Sequence, residues 1–280
     1  MQNAESLTSS ISAFFLLPSA FCFGIGAIVG SFLNVVIHRY PREESIVFPP
    51  SRCPHCGTAI KPYDNIPIIS YAILRGRCRA CRAPISMRYP LVELANALFY
   101  LAIFLRTGIS VAFLPIAAIV SMLIVLIYID AEIQILPDVI DLPGIAIGVA
   151  IGALRLDEVT SGLVLAHSLT DSLLGAAIGA GVLLTIALAY KLLRHIEGMG
   201  LGDVKMLAMI GAVMGIGALL PVLLIASISG ALCAIPLAIR HDKGMQLAIP
   251  FGVFLGFGAL AVLFFGSTLW QTWLNALAIR

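Results

Sequence analysis

The sequence predicts an all-α polytopic membrane protein, on three observations. Of 280 residues, 60% are hydrophobic and only 11% charged, whereas soluble domains carry roughly 25% charged residues. Several apolar runs reach or approach the ~20 residues needed to cross a hydrocarbon core of ~30 Å. Those runs lack period-2 alternation and are too long for barrel strands, so helices are expected. A soluble globule of this composition would leave large apolar patches in water. Fibrous, disordered and nucleic-acid-binding classes are excluded too, and the formal net charge of +2 adds nothing by itself.

Read with breaks at charges, Gly and Pro, the chain holds about eight expected spans: 14–37, 91–105, 110–129, 139–154, 172–190, 204–218, 220–239 and 247–269. The fourth is short. The break between the sixth and seventh rests on Gly215, Gly217 and Pro221. The first ten residues contain no Lys or Arg, so the positive region of a secretory signal is missing and the first apolar stretch reads as a retained span. Three regions result: an extracytosolic N-terminus and first span over 1–37, a polar loop over 38–90, and a transmembrane core over 91–280.

Orientation follows from the cations. The loop carries Arg39, Arg42, Arg52, Lys61, Arg75, Arg77, Arg79, Arg82 and Arg88. If it is cytosolic, Lys191, Arg194, Lys205, Arg240 and Lys243 fall on or near the same side, leaving Arg106, Arg155 and Arg280 outside. Both termini then face the periplasm or the cell exterior.

That loop contains Cys53-Pro-His-Cys56 and Cys78-Arg-Ala-Cys81, two Cys-x-x-Cys knuckles with 21 residues between them. Two knuckles can wrap one tetrahedral Zn²⁺, each supplying two thiolates. A segment this short buries little apolar surface, so metal binding would supply much of its folding free energy. Two disulfides are the competing reading, but they need an oxidising compartment and the cations place the loop in the cytosol. Four thiolates leave no open coordination position, so the expected zinc is structural. His55 is not needed as a ligand. Cys22 and Cys233 lie in apolar runs and read as core residues.

Charges within spans are costly and usually functional. Asp130 lies at the inner end of the third span, and Asp203 lies in Gly198-Met-Gly-Leu-Gly-Asp203 where the sixth begins. Both fall at one boundary. Two adjacent carboxylates cannot both ionise easily, so one keeps a proton while the other activates water. The glycines before Asp203 let a substrate backbone approach closely. The competing reading makes both aspartates helix-end charges reaching water. Asp138 after Pro137 reads as a helix N-cap, Asp141 as a first-turn charge complementing the helix dipole, and Glu132 as a solvated side chain. Lys205 either acts on Asp203 or reaches water. Glu93, three residues after Pro90, either completes a helix start or serves a substrate or cofactor. Asn34 and His38 are expected to pack against the cysteine module.

Taken together, Gly30-Ser-Phe-Leu-Asn-Val-Val-Ile-His-Arg39, the two knuckles with Asn65-Ile-Pro-Ile-Ile-Ser-Tyr71 between them, Arg88-Tyr-Pro-Leu-Val-Glu-Leu94, Asp130 through Leu136-Pro-Asp138, and the glycines before Asp203 resemble the type IV prepilin peptidases. These leader peptidase/N-methyltransferases belong to the Gly-x-Gly-Asp class of intramembrane aspartic proteases. The resemblance covers most of residues 24–255. It implies cleavage of a basic leader from prepilins or type II secretion pseudopilins at the cytosolic face, with the catalytic aspartates at Asp130 and Asp203 and the family's four cysteines at Cys53, Cys56, Cys78 and Cys81. It further implies N-methylation of the new N-terminus from S-adenosylmethionine. Two departures stand out. Val253 occupies a position where the family often has a second Pro after Phe-Gly, and residues 154–172 form a longer stretch than usual. Neither is expected to touch the aspartates. Gly24-Ile-Gly-Ala-Ile-Val-Gly30 reads as a helix-packing segment rather than a methyl-donor site.

Other classes fare worse. A membrane metalloprotease needs His-Glu-x-x-His, which the five His never form. No span positions a His beside a nucleophilic Ser such as Ser31 or Ser267. The alternative that stays open is a transporter or proton carrier with intramembrane Asp residues and a structural zinc module, although no inverted repeat is evident.

Overall fold

The computed structural model describes residues 2–195, 200–240 and 249–278. Gly198, Met199, His241, Lys243 and Arg280 lie outside the described residues. The described chain is helical throughout: α1 (Gln2–Arg39), a short α2 (Ile69–Ile73), α3 (Arg88–Thr107), α4 (Phe113–Ile133), α5 (Asp138–Ala153), α6 (Leu169–Arg194), α7 (Leu201–Met214), α8 (Ile216–Arg240) and α9 (Phe251–Ala278). Each expected span has its helix. Six, namely α1, α3, α4, α6, α8 and α9, are long and apolar enough to cross a membrane. α5 and α7, with 16 and 14 residues, are shorter than that. By its contacts the chain divides into two units, Met1–Ile109 and Ser110–Arg280.

In the first unit α1 packs along α3. The close approach needs glycine: a Cβ on Gly26 would lie 2.8 Å from Ala97 Cα, and one on Gly30 2.7 Å from Glu93 Cα. Asn96 Nδ2, fully buried, donates to the Gly26 carbonyl at 2.7 Å. Small residues at the seam and a buried amide across it are what holds helices together in lipid, where apolar burial gives no preference for protein over tails. Asn34 donates to Tyr89 O at 3.0 Å, where the polar loop over 38–90 runs into α3. Cys22 is half-buried and Cys233 exposed, so neither is the core residue that its apolar run suggested.

The second unit is built around α7, buried at Val204 and at every residue from Met206 to Met214. α6 and α7 meet at Gly175 and Gly211, each backbone occupying the space where the other's Cβ would stand. The break after α7 is sharper and earlier than expected. Gly215 takes φ +77°, and α8 starts at Ile216. Asp171 secures this turn: its Oδ1 accepts the Ile216 N–H at 3.0 Å and its Oδ2 the His167 N–H at 3.1 Å. The stretch from 154 to 172 is not a loose insertion, since Val164 N donates to Leu263 O and Ala166 N to Val213 O, both at 3.0 Å. The ends of α4, α6 and α8 and the starts of α5, α7 and α9 share the opposite end of the bundle from that turn. There the carboxylates gather.

Candidate active site and candidate metal centre

Asp130 sits inside α4, one turn before the helix ends at Ile133, and is 4% exposed. Gln134 closes that helix in a left-handed conformation, its N–H returning to the Asp130 carbonyl at 2.9 Å. The Asp130 carboxylate meets the first turn of α9, where Val253 N donates to Oδ2 at 2.9 Å and the Gly252 amide also points at it. A helix start offers unpaired N–H groups and positive dipole to an anion. Gly252 makes the approach possible, since a Cβ there would lie 2.9 Å from both Asp130 Oδ2 and Leu136 Cδ1.

Asp203 is in the first turn of α7, after Gly200 in an extended conformation. Gly202 packs on the same Leu136, where an added Cβ would lie 2.8 Å from Leu136 Cβ. Leu136 is therefore the common floor under the glycines beside both aspartates. The carboxylates of Asp130 and Asp203 are electrostatically coupled. Residues seventy-three positions apart in sequence thus stand at one end of one bundle.

Two neighbouring expectations need correction, and a third gains its surroundings. Asp138 is the first residue of α5, with Pro137 as the N-cap. It does not cap the helix with its side chain; its oxygens take Lys205 Nζ at 2.6 and 2.7 Å. Lys205 accordingly pairs with Asp138 across α5 and α7, one turn from Asp203. Asp141 stands in the first turn of α5, as expected, and is fully buried there; neither carboxylate oxygen has a hydrogen-bond partner among the described residues. It interacts electrostatically with Asp138, Lys205 and Asp203. Finally, Val253 does touch the aspartates, through its backbone N–H. The signal available in the sequence was Pro250-Phe-Gly ahead of an apolar run, which announces a helix start with a bare backbone.

In the first unit the two knuckles repeat one backbone pattern. Cys53 N donates to Thr58 O at 2.9 Å and Cys78 N to Ala83 O at 2.8 Å; Gly57 N returns to Cys53 O at 2.9 Å and Arg82 N to Cys78 O at 3.0 Å. Equivalent positions Gly57 and Arg82 both take positive φ, 69° and 61°. The four Sγ atoms of Cys53, Cys56, Cys78 and Cys81 lie within 4.8 Å of one another, and those of Cys53 and Cys81 are 3.8 Å apart. A tetrahedron with Zn–S bonds of ~2.3 Å has sulfur edges of ~3.8 Å. The thiols are unpaired, which is the arrangement of a metal cluster rather than of two disulfides. Hydrogen bonds from Thr58 pull the Cys56 thiol down to about 6, favouring the thiolate that a metal needs. His55 is no part of the cluster. Arg79 of the second knuckle binds Asp64 bidentately at 2.6–3.0 Å and holds that half-buried carboxyl below its usual range.

Glu93, at the start of α3, is 8% exposed; its Oε2 accepts the Ile68 N–H at 2.7 Å. It lines a cleft of about 860 Å³, together with Ser31 and Asn34 of α1 and Asp64, Asn65 and Tyr71 of the module.

Comparison with known proteins agrees with both units. Residues 25–107 match the bacterial Peptidase A24 N-terminal domain and residues 117–235 the Type IV leader peptidase family. A prepilin leader peptidase/N-methyltransferase of Burkholderia pseudomallei (strain 1026b) is 36% identical, over 92% of this chain and 90% of its own length. One from Aeromonas hydrophila is 37% identical over 90% and 92%, and one from Stutzerimonas stutzeri 35% identical over 98% and 99%. No solved structure matches. With its buried aspartates, its four-cysteine cluster and relatives that run nearly its full length, the chain belongs to the type IV leader peptidase family.

Proposed function

We propose that the chain is a prepilin peptidase that cuts the basic leader from type IV prepilins or type II secretion pseudopilins, with Asp130 and Asp203 as the catalytic pair. The observation that carries this reading is the placing of one buried and one half-buried carboxylate, Asp130 and Asp203, over the shared floor of Leu136, each beside a glycine that leaves room for a substrate backbone. One member takes a proton from water as the oxygen attacks the scissile carbonyl. The other gives its proton to the carbonyl oxygen and later to the leaving amine, with no covalent intermediate. The Val253 and Gly252 amides orient Asp130, and the Asp138–Lys205 pair keeps a charge-neutral link between the starts of α5 and α7. The cation distribution supports placing this end of the bundle, and the cysteine module, on the cytosolic side of a bacterial inner membrane.

Zinc in the four-cysteine cluster would tie the two knuckles together and take no part in proton transfer, since four thiolates complete its coordination. The relatives' second activity, N-methylation, suggests that S-adenosylmethionine also serves this chain. The cleft beside Glu93 has the volume of a small-molecule site (roughly 300–1,000 Å³), and Glu93 is the buried anion there to meet a cationic donor. Bound in the cleft, the donor would supply the methyl group. Glu93 would hold its positive charge, and Ser31 and Asn65 its polar rim.

The test is substitution. Asp130→Asn and Asp203→Asn should each abolish size reduction of a co-expressed prepilin while leaving membrane insertion and zinc content unchanged. Near-wild-type processing by either variant removes the pair and leaves the carrier reading in place. Mass spectrometry of the product gives the cut position and any added methyl together. Glu93→Gln should lower methylation and equilibrium binding of S-adenosylmethionine without slowing cleavage.

A further inference from the structure

The second knuckle carries charge that neither the aspartates nor the metal explains. Arg75, Arg77, Arg79 and Arg82 surround a hollow of about 550 Å³ whose remaining lining is Ile73 and Leu74. Arg79 is bound to Asp64, but Arg75, Arg77 and Arg82 have no acidic partner among the described residues. All three are exposed.

Their frame is fixed. Arg77 faces Pro84 in an antiparallel bridge, Ile85 N donates to Gly76 O at 2.7 Å, and the knuckle hairpin holds Arg82. Guanidiniums on a free chain would move apart; these are gathered around one concavity, where like charges repel unless an anion lies between them. Planar forks of this kind suit phosphate, which they can bind bidentately.

The apolar rim narrows the choice of anion. Ile69 and Ile73, four residues apart on α2, are 55% and 69% exposed. A soluble phosphate has no use for them, whereas an interfacial helix buries such residues at the headgroup boundary. The membrane is within reach. Arg77 is opposite Pro84, and Arg88, where α3 begins, is only four positions after Pro84. Four residues span at most ~14 Å.

We infer that this face of the module docks on the bilayer, with the phosphate of an anionic glycerophospholipid held by Arg75, Arg77 and Arg82 and its first methylenes against Ile73. Clusters of basic residues beside a spanning helix draw acidic lipid in this way. The site is independent of the peptidase reading and requires only that α1 and α3 lie in the membrane.

The experiment uses the full-length, zinc-loaded protein incubated with equal amounts of phosphatidylglycerol and phosphatidylcholine, with retained lipid counted by native mass spectrometry. The wild type should retain phosphatidylglycerol preferentially. The triple variant Arg75→Gln/Arg77→Gln/Arg82→Gln should lose that preference by about tenfold or more, and Ile73→Asn, which keeps every charge, should weaken it several-fold. An unchanged preference in the triple variant overturns the proposal. So does full displacement by millimolar inorganic phosphate together with no effect of Ile73→Asn, which assigns the hollow to a soluble anion. Loss of zinc from the triple variant with lipid retention intact would instead give the charge to the thiolate cluster. A triple Arg→Lys variant, with its charge intact, should retain most of the preference.

Discussion

At the scale of single residues, the carboxylates work through what surrounds them. Asp130 is held by backbone amides at the head of α9, one of which exists only because residue 253 is not proline. Proline is well tolerated in a helix's first turn, so Val253→Pro deletes that N–H at little cost to α9. The Gly252 amide stays in place in that variant, and family members that carry proline at this position are expected to cleave with it alone, so Val253→Pro should process prepilin at close to the rate of the unaltered chain, as measured in membranes. Gly252→Ala is more severe, because its methyl would stand against both Asp130 and Leu136. That variant should be nearly inactive yet folded. Asp130 and Asp203 were legible in the sequence because a charge among apolar residues announces itself. Val253 was not, because a backbone donor carries no side-chain signature. The first-turn place of Asp141 was legible but its burial was not, because only the packing of α5 on α7 covers it.

Elements were read more readily than their edges. Apolar runs predicted all eight long helices, while the end of α4 and the exact place of the break after α7, which the sequence spread over Gly215, Gly217 and Pro221, came from features that composition does not record: a left-handed Gln134 and the Asp171 clasp. The metal module was legible because two knuckles at fixed spacing leave few alternatives. Its folding should depend on the ion: a chelator is expected to expose residues 38–87 to proteolysis while the bundle from Ser110 onward keeps its protease resistance, read by mass mapping of the fragments. In the bundle, α6 offers its own control. Gly211→Ala forces α7 away from Gly175 and should cost about 1–3 kcal/mol, whereas Gly181→Ala on α6, with open space around its Cβ position, should be neutral or slightly stabilising. Thermal inactivation of the two variants in one detergent separates them.

At the scale of the whole molecule, the cations predicted a sidedness that accessibility labelling can test: a single cysteine introduced in place of Ser161 should react from outside the cell, and one in place of Glu43 only after the membrane is opened. The bundle also has a vertical dimension that its longest helices conceal. α7 rises only ~21 Å over its 14 residues, against ~30 Å of hydrocarbon, and Asp203 rides in its first turn. Because neighbouring helices enclose it, that shortfall falls inside the protein and not on the lipid around it. A pilin stem drawn to Asp203, on the proposed function, would therefore be met by helix backbone and glycine rather than by acyl chains.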